Sequence, residues 1–260
     1  MEFFVICLAA LLASGLTFFS GFGLGTILMP VLTLFLPVPA AIAATAIVHF
    51  ANNLFKLALV GKSANKPVLI RFAVPAVFAA MLGAWFLSYA SFLPVIVKYE
   101  FIGKVHEMTA VKLMIGLIIV LFSCLELIPG LANVAIDRKY LPWGGLLSGF
   151  FGGLSGNQGA LRSMFLIKAG LTKDEFIGTG AAAAAMVDIA RLLVYGIGIF
   201  AVQVSLVSDI KWLILAATAS AFAGAFLGRA ILKKITLRTV QRIVGVMLIF
   251  LGVGLSIGLF

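Results

Sequence analysis

Apolar residues run along this chain in long blocks separated by short polar links: 3–36, 40–60, 68–90, 110–128, 141–169, 175–200, 210–231 and 239–259. None shows the strict apolar–polar alternation of a barrel strand, and the blocks are long enough to cross a hydrocarbon core of about 30 Å as helices. Block 3–36 is overlong, because one helix of that length would extend about 50 Å at 1.5 Å per residue. It is expected to fold back on itself. The glycines of Ser20-Gly21-Phe22-Gly23-Leu24-Gly25 supply the break, since glycine takes backbone conformations closed to other residues. Block 141–169 carries a corresponding break, expected over Gly152-Gly153-Leu154-Ser155-Gly156-Asn157-Gln158-Gly159.

The two breaks belong to a repeat. Ser14 and Ser148, Gly15 and Gly149, Gly25 and Gly159, and Thr45 and Thr179 are each 134 positions apart, with no gap. Past a longer link in the second copy, Gly83-Ala84 falls on Gly224-Ala225 and Ile115-Gly116 on Val244-Gly245. The chain therefore divides into a first repeat, 1–129, and a second, 130–260, each of four blocks, together forming one transmembrane domain. Interrupted apolar helices at matching positions of two repeats point to a transporter's substrate site.

Composition narrows the class. Hydrophobic residues make up 63% of 260, charged residues 11%, and the mean hydropathy is +1.22, so no ordinary aqueous surface could be built. The apolar N-terminal run, led by Glu2 rather than by basic residues, reads as part of the fold and not as a cleaved signal. The net charge of +10 is scattered over short loops, which fits orientation in a membrane and not nucleic-acid binding. Cys7 and Cys124 lie in apolar stretches and imply neither a disulfide nor a zinc site.

The same charges test the topology. If every block crosses once, six basic residues face nine. If the opening block of each copy returns to its starting side, only Lys98, Lys104, Lys112 and Lys211 remain opposite eleven others, with both termini outside the cytoplasm. The expected fold is thus an all-α polytopic membrane protein of two inverted repeats, each a re-entrant or broken-helix hairpin plus three transmembrane helices.

Candidate chemistry gathers at the breaks. A helix starting inside a membrane presents free amides at its positive end, where an anion can be held. Gly21, Gly23 and Gly25 in the first copy, and Ser155, Gly156, Asn157, Gln158 and Gly159 in the second, are candidate anion cradles; close helix packing by small residues is the plainer alternative. The helix after the first break carries Thr45, His49, Asn52, Asn53 and Lys56, largely on one face. Asn52 and Asn53 are candidate substrate ligands, with His49 and Lys56 as coupling or structural residues; His49 also suits a packed position and Lys56 a snorkelling one. In the second copy Asp188 and Arg191, three apart, can pair within one turn, as a structural ion pair or a coupling element. Arg162 stands where the first copy has Leu28; it argues for an anionic ligand, with pairing to Asp188 as the alternative.

Gly153-Leu154-Ser155-Gly156 matches the GxSG of rhomboid-like intramembrane proteases. Such a serine needs a later histidine as base, and this chain has only the earlier His49 and His106, so an enzyme is not expected. No cofactor or metal is implied.

SGFGLGTILMPVLTLFLPVPAAIAAT resembles the repeat consensus of the TauE/SafE sulfite exporter family, in which a G-x-G-x-G turn leads to an apolar run ending in proline, here Pro30, then an LP link and an A-T step at Ala44-Thr45. Leu82-Gly83-Ala84 fits as well. The resemblance covers nearly the whole chain and implies a permease of the plasma membrane for sulfite, sulfoacetate or a related organosulfur anion. The second copy departs from it: Asn157 and Gln158 stand in the turn, Arg162 replaces an aliphatic residue, and Met164 takes the proline's place. The expected partners are a small anion and the bilayer, with proton or sodium coupling and oligomerisation as open options. One negative charge leaving a cell gains about 2.3 kcal/mol per 100 mV, which favours export; import would need a coupled ion, with Asp188, His49 or Glu126 as carriers. An anion channel, told apart by flux that does not saturate, and a non-transporting scaffold subunit are the rival readings.

Overall fold

The computed structural model describes residues 2–20, 24–128, 134–197, 204–231 and 237–259; the side chains of 17–20, 60, 126, 204–209, 229–231, 237–241 and 243 lie outside that description. About 82% of the chain is helical. The helices are α1 (Glu2–Ser20), α2 (Leu24–Leu32), α3 (Val38–Val60), α4 (Lys66–Ala90), α5 (Ala110–Leu127), α6 (Leu141–Ser155), α7 (Gly159–Leu166), α8 (Lys173–Tyr195), α9 (Val204–Ile231) and α10 (Leu237–Ser256). Their starts follow local chemistry. The Asn65 side chain accepts from the Val68 amide to open α4, Thr109 accepts from Lys112 to open α5, and Thr172 with Glu175 forms a capping box on α8. Prolines at the first turns of α3, α4 and α6 occupy positions where no amide partner is needed.

The structure corrects the all-α expectation in the link 91–109. An antiparallel hairpin forms there from β1 (Val95–Phe101) and β2 (Lys104–Thr109), closed by Ile102 and Gly103 with φ of 51° and 70°. The β-branched run Val95-Ile96-Val97 favours strand, and two successive positive φ values make the tight primed turn that a right-twisted hairpin needs. Lys98 and Glu107 pair across it, and the Lys98 hydrogen bond holds the Glu107 carboxyl below its usual range. Tyr99 bonds the Ile257 carbonyl at 2.7 Å, tying the hairpin to the end of α10.

The second break is also shorter than expected. Gly152, Gly153, Leu154 and Ser155 are helical, and the interruption between α6 and α7 is Gly156-Asn157-Gln158. Only Gly156 needs the left-handed conformation, at φ 81°. Gly153 serves packing instead: with Gly145 and Gly149 it forms a stripe at every fourth residue on which the Phe72, Ala76 and Ala80 carbonyls of α4 rest, leaving no room for a Cβ. Gly224 and Gly228 of α9 meet Leu11 and Gly15 of α1 in the same way.

Among the described residues, four helices are long and apolar enough to cross a membrane: Val38–Leu59, Lys66–Ala90, Lys173–Tyr195 and Ile210–Gly228. Shorter apolar stretches lie at Glu2–Leu16, Ala110–Leu125 and Val244–Ser256. At nine and eight residues, α2 and α7 extend only about 12–14 Å and cannot span the core. Polarity is inside out for a water-soluble protein. Phe78, at 69% exposure, and Phe250, at 74%, point outward with Trp85 and Phe226, while His49, Asn52, Asp188 and Arg191 are buried. This is a multi-pass membrane protein. Helix α6 packs on α4, α1 on α9, α5 on α10, and α3 on α8; α3 also meets α9, and α8 meets α4. The short α2 lies between α1 and α3, and the short α7 between α6 and α8.

Candidate functional site

The interior where α3, α8 and the α6–α7 break meet is polar. Spacings of three and four on α3 turn Thr45, His49, Asn52, Asn53 and Lys56 inward, and all five are buried. From α8 come Thr179, Asp188 and Arg191, each 0% exposed, and from the break and α7 come Ser155, Asn157, Gln158 and Arg162.

Asp188 organises this region. His49 Nδ1 lies 2.7 Å from its Oδ2, and Asn53 Nδ2 donates to the same oxygen at 3.0 Å. Its Oδ1 accepts from Arg191 Nε at 3.0 Å and Gln158 Nε2 at 3.4 Å, and Arg191 Nη2 stands 2.8 Å away. A carboxylate offers only lone pairs, so His49 Nδ1 is assigned the proton of that contact. Asn53 Nδ2 is also 3.0 Å from Nδ1, but its donation goes to the carboxylate. Asp188 thus joins α3 to the α6–α7 break.

Arg191 and Tyr195 hold the end of α6. Arg191 Nη1 donates to the Gly152 carbonyl at 3.2 Å and Tyr195 Oη to that of Gly153. A cation at a helix C-terminus meets the negative end of its dipole. Gly156 leaves space for this arrangement, since a Cβ there would stand 3.0 Å from Arg191 Nη1. Ser148 of α6 donates to the Gln158 carbonyl at 3.0 Å, and Ser14 of α1 donates to Asn52 Oδ1 at 3.0 Å.

The two breaks touch. A Cβ on Gly25 would lie 3.1 Å from the Gly156 carbonyl and 3.6 Å from the Thr45 methyl. Gly21 and Gly23 lie outside the described residues. In the same interior several buried polar atoms have no hydrogen-bond partner in the protein: Thr45 Oγ1, Asn52 Nδ2, both side-chain polar atoms of Asn157, and Arg162 Nη1. Each such atom costs about 1–3 kcal/mol if nothing bonds it. Arg162 is 8% exposed and acts electrostatically on His49 and Lys56 across the interior.

The structure therefore separates the sequence candidates. Asn53 and Gln158 serve Asp188, Ser155 bonds the Phe151 carbonyl and caps the Asn157 amide, and Gly159 opens α7. Asn52, Asn157 and Arg162 keep unbonded groups. Arg162 forms no hydrogen-bonded pair with Asp188, whose oxygens are taken by the donors above; Asp188 pairs with Arg191. Tyr195 is not among the sequence candidates, and Ser14 and Ser148 enter there only as matched positions of the 134-residue register. Tyr195 continues the stripe begun by Asp188 and Arg191 at the next helical step, a signal available from spacing alone.

A protein-family model described as "Sulfite exporter TauE/SafE" matches residues 6–255 of the chain. No curated protein and no solved structure matches it.

Proposed function

The chain belongs to the sulfite exporter TauE/SafE family, and from that premise we propose that it is a secondary transporter of a small oxyanion in the plasma membrane, working as an exporter. The observation that carries this reading is that Arg162, buried on the short helix that follows the second break, keeps an unbonded Nη1, while Asn157 of that break and Thr45 and Asn52 of α3 also keep unbonded polar atoms. Among the described side chains, Asp188 is the only buried carboxylate, and Arg191 is already paired with it. The Arg162 charge is therefore left for a ligand, and a buried cation next to empty donors is best matched by an anion. Sulfite, sulfoacetate and related organosulfur anions offer several acceptor oxygens for such a set.

The order of elements supports alternating access. Helices α1, α2 and α3 recur as α6, α7 and α8 at a spacing of about 134 residues, and α4 and α5 recur as α9 and α10. The contacts recur too: α1 on α9 mirrors α6 on α4, and α3 on α9 mirrors α8 on α4. This is the pairing expected of two inverted repeats, 1–129 and 130–260, rocking about a site at their shared breaks. Gly25, Gly156 and Gly159 bring backbone close to the anion, and Asn52, Asn157 and Arg162 bind it.

The test is initial-rate uptake into proteoliposomes of sulfite, thiosulfate, sulfoacetate and small carboxylates. Saturable movement of a sulfur oxyanion, lost in Arg162→Ala, is the expected result. Absence of anion movement in both net-flux and exchange modes would overturn the reading.

A further inference from the structure

We infer that His49 and Asp188 form a proton site that moves its proton together with the anion, making the protein a proton–anion symporter. This rests on the transport reading above and adds the coupling ion to it.

The argument starts from the hydrogen bonds. With Nδ1 holding the proton shared with Asp188 Oδ2, a further proton taken up by the imidazole must go to Nε2. The resulting imidazolium is matched by a carboxylate already in contact. No group needs to be recruited.

The groups facing His49 set the sign of the coupling. From α8 come Asp188 and Arg191, from α7 Arg162, from the break the neutral Gln158, and from α3 itself Asn53. The α2 segment holds no titratable residue. On α9, Lys211 is exposed, and on α5 the Lys112 ammonium is bonded to the Glu107 carbonyl. Without cargo, Arg162 and Arg191 both oppose a positive charge on His49. An anion seated on Arg162 and Asn157 cancels part of that field and favours the proton. By linkage, the proton favours the anion equally. Competition between the two, as an exchanger would require, runs against this sign.

The location makes the coupling structural as well. Asp188 ties His49 and Asn53 on α3 of the first repeat to Gln158 in the break of the second, and His49 and Asp188 are 139 positions apart in the chain. A charge change at His49 therefore acts on the contact about which the repeats would rock. For a singly charged anion the loaded carrier moves without net charge. The potential-driven exit expected of a lone anion then gives way to movement set by the anion and proton gradients, outward only while the anion gradient exceeds the opposing proton gradient.

The experiment uses the full-length protein in proteoliposomes containing a trapped pH dye, with whichever of sulfite, thiosulfate and sulfoacetate undergoes protein-dependent exchange; protein-free vesicles give the passive background. In the wild type, an inward acid gradient should raise initial anion uptake about tenfold, with dye acidification in step with it. In His49→Gln the acid-driven acceleration should vanish, and exchange of labelled for unlabelled anion should fall much less. Exchange without acid-driven net uptake, or net uptake without dye acidification, in the wild type would overturn the coupling and leave the transport reading standing. Persistent acid drive in His49→Gln would overturn the assignment to His49. If none of the three anions exchanges at all, both readings fail. The wild-type measurement decides the coupling even if the variant does not fold.

Discussion

Arg162 has a buried guanidinium with an unbonded Nη1, and its effect should be on transport. Arg162→Ala is expected to reduce uptake at least tenfold, the loss of a charge-assisted contact of roughly 1.5–3 kcal/mol, while Arg162→Lys keeps the charge but not the fork and recovers only part. Initial rates at saturating and limiting anion check this, and wild-type rates in the alanine variant would remove Arg162 from the site. Asp188 should behave differently, because it is a structural hub as well. Asp188→Asn leaves Arg191 buried without its counter-charge and should cost about 3–5 kcal/mol, whereas Asp188→Asn combined with Arg191→Met should recover much of that. Thermal unfolding in detergent measures both; a double variant no more stable than the single one would contradict the pairing. The polar residues themselves were legible from the sequence, since such groups on membrane helices are costly and stand out. Their partners were not: Asn52 and Asn53 are neighbours in the chain, yet one meets Ser14 and the other Asp188. A turn of about 100° between them sends each to a different helix, and the identity of that helix is a long-range fact.

Helix ends and contact stripes carry the next level. At the end of α6, Gly156 combines a left-handed φ with the approach of Arg191, so Gly156→Ala is expected to cost about 1–3 kcal/mol and to slow transport. A variant with unchanged melting and transport would show that the break tolerates a side chain. Within α6, a Cβ at Gly149 would fall on the Ala76 carbonyl, so Gly149→Val should separate α4 from α6 and lower the yield of monodisperse protein. Adding the same valine at Gly103, where the hairpin tip leaves open space but φ is 70°, should affect only the local turn. Comparing the two by size-exclusion profile distinguishes packing loss from a general intolerance of bulk. The sequence exposed the glycines but not their division of labour. Turning and packing both select glycine, and only the facing helix shows which one a given position performs; hence the expected break at Gly152–Gly159 contracts to Gly156–Gln158.

For the molecule as a whole, the inverted arrangement predicts that reporters fused after Lys66 and after Lys233 fall on the same side of the membrane, the cytoplasmic one. Opposite sides would sink the arrangement. Composition and block length suffice to place this chain in a membrane, because a core of about 30 Å requires long apolar helices wherever they pack. The 134-residue register, the glycine breaks and the family resemblance are likewise properties of the linear chain and survive any arrangement in space. The hairpin at 95–109 was missed because it lies in a short mixed link, where local pattern is weak and docking against Ile257 and Gly258 completes the stability. The approach of Gly25 to Gly156, the gathering of His49, Asn53 and Gln158 around Asp188 and the capping of α6 by Arg191 and Tyr195 came only with the folded molecule. Each depends on which faces of α3, α6 and α8 meet, and those faces are brought together from residues 30 to 139 positions apart, distances over which helical periodicity carries no information.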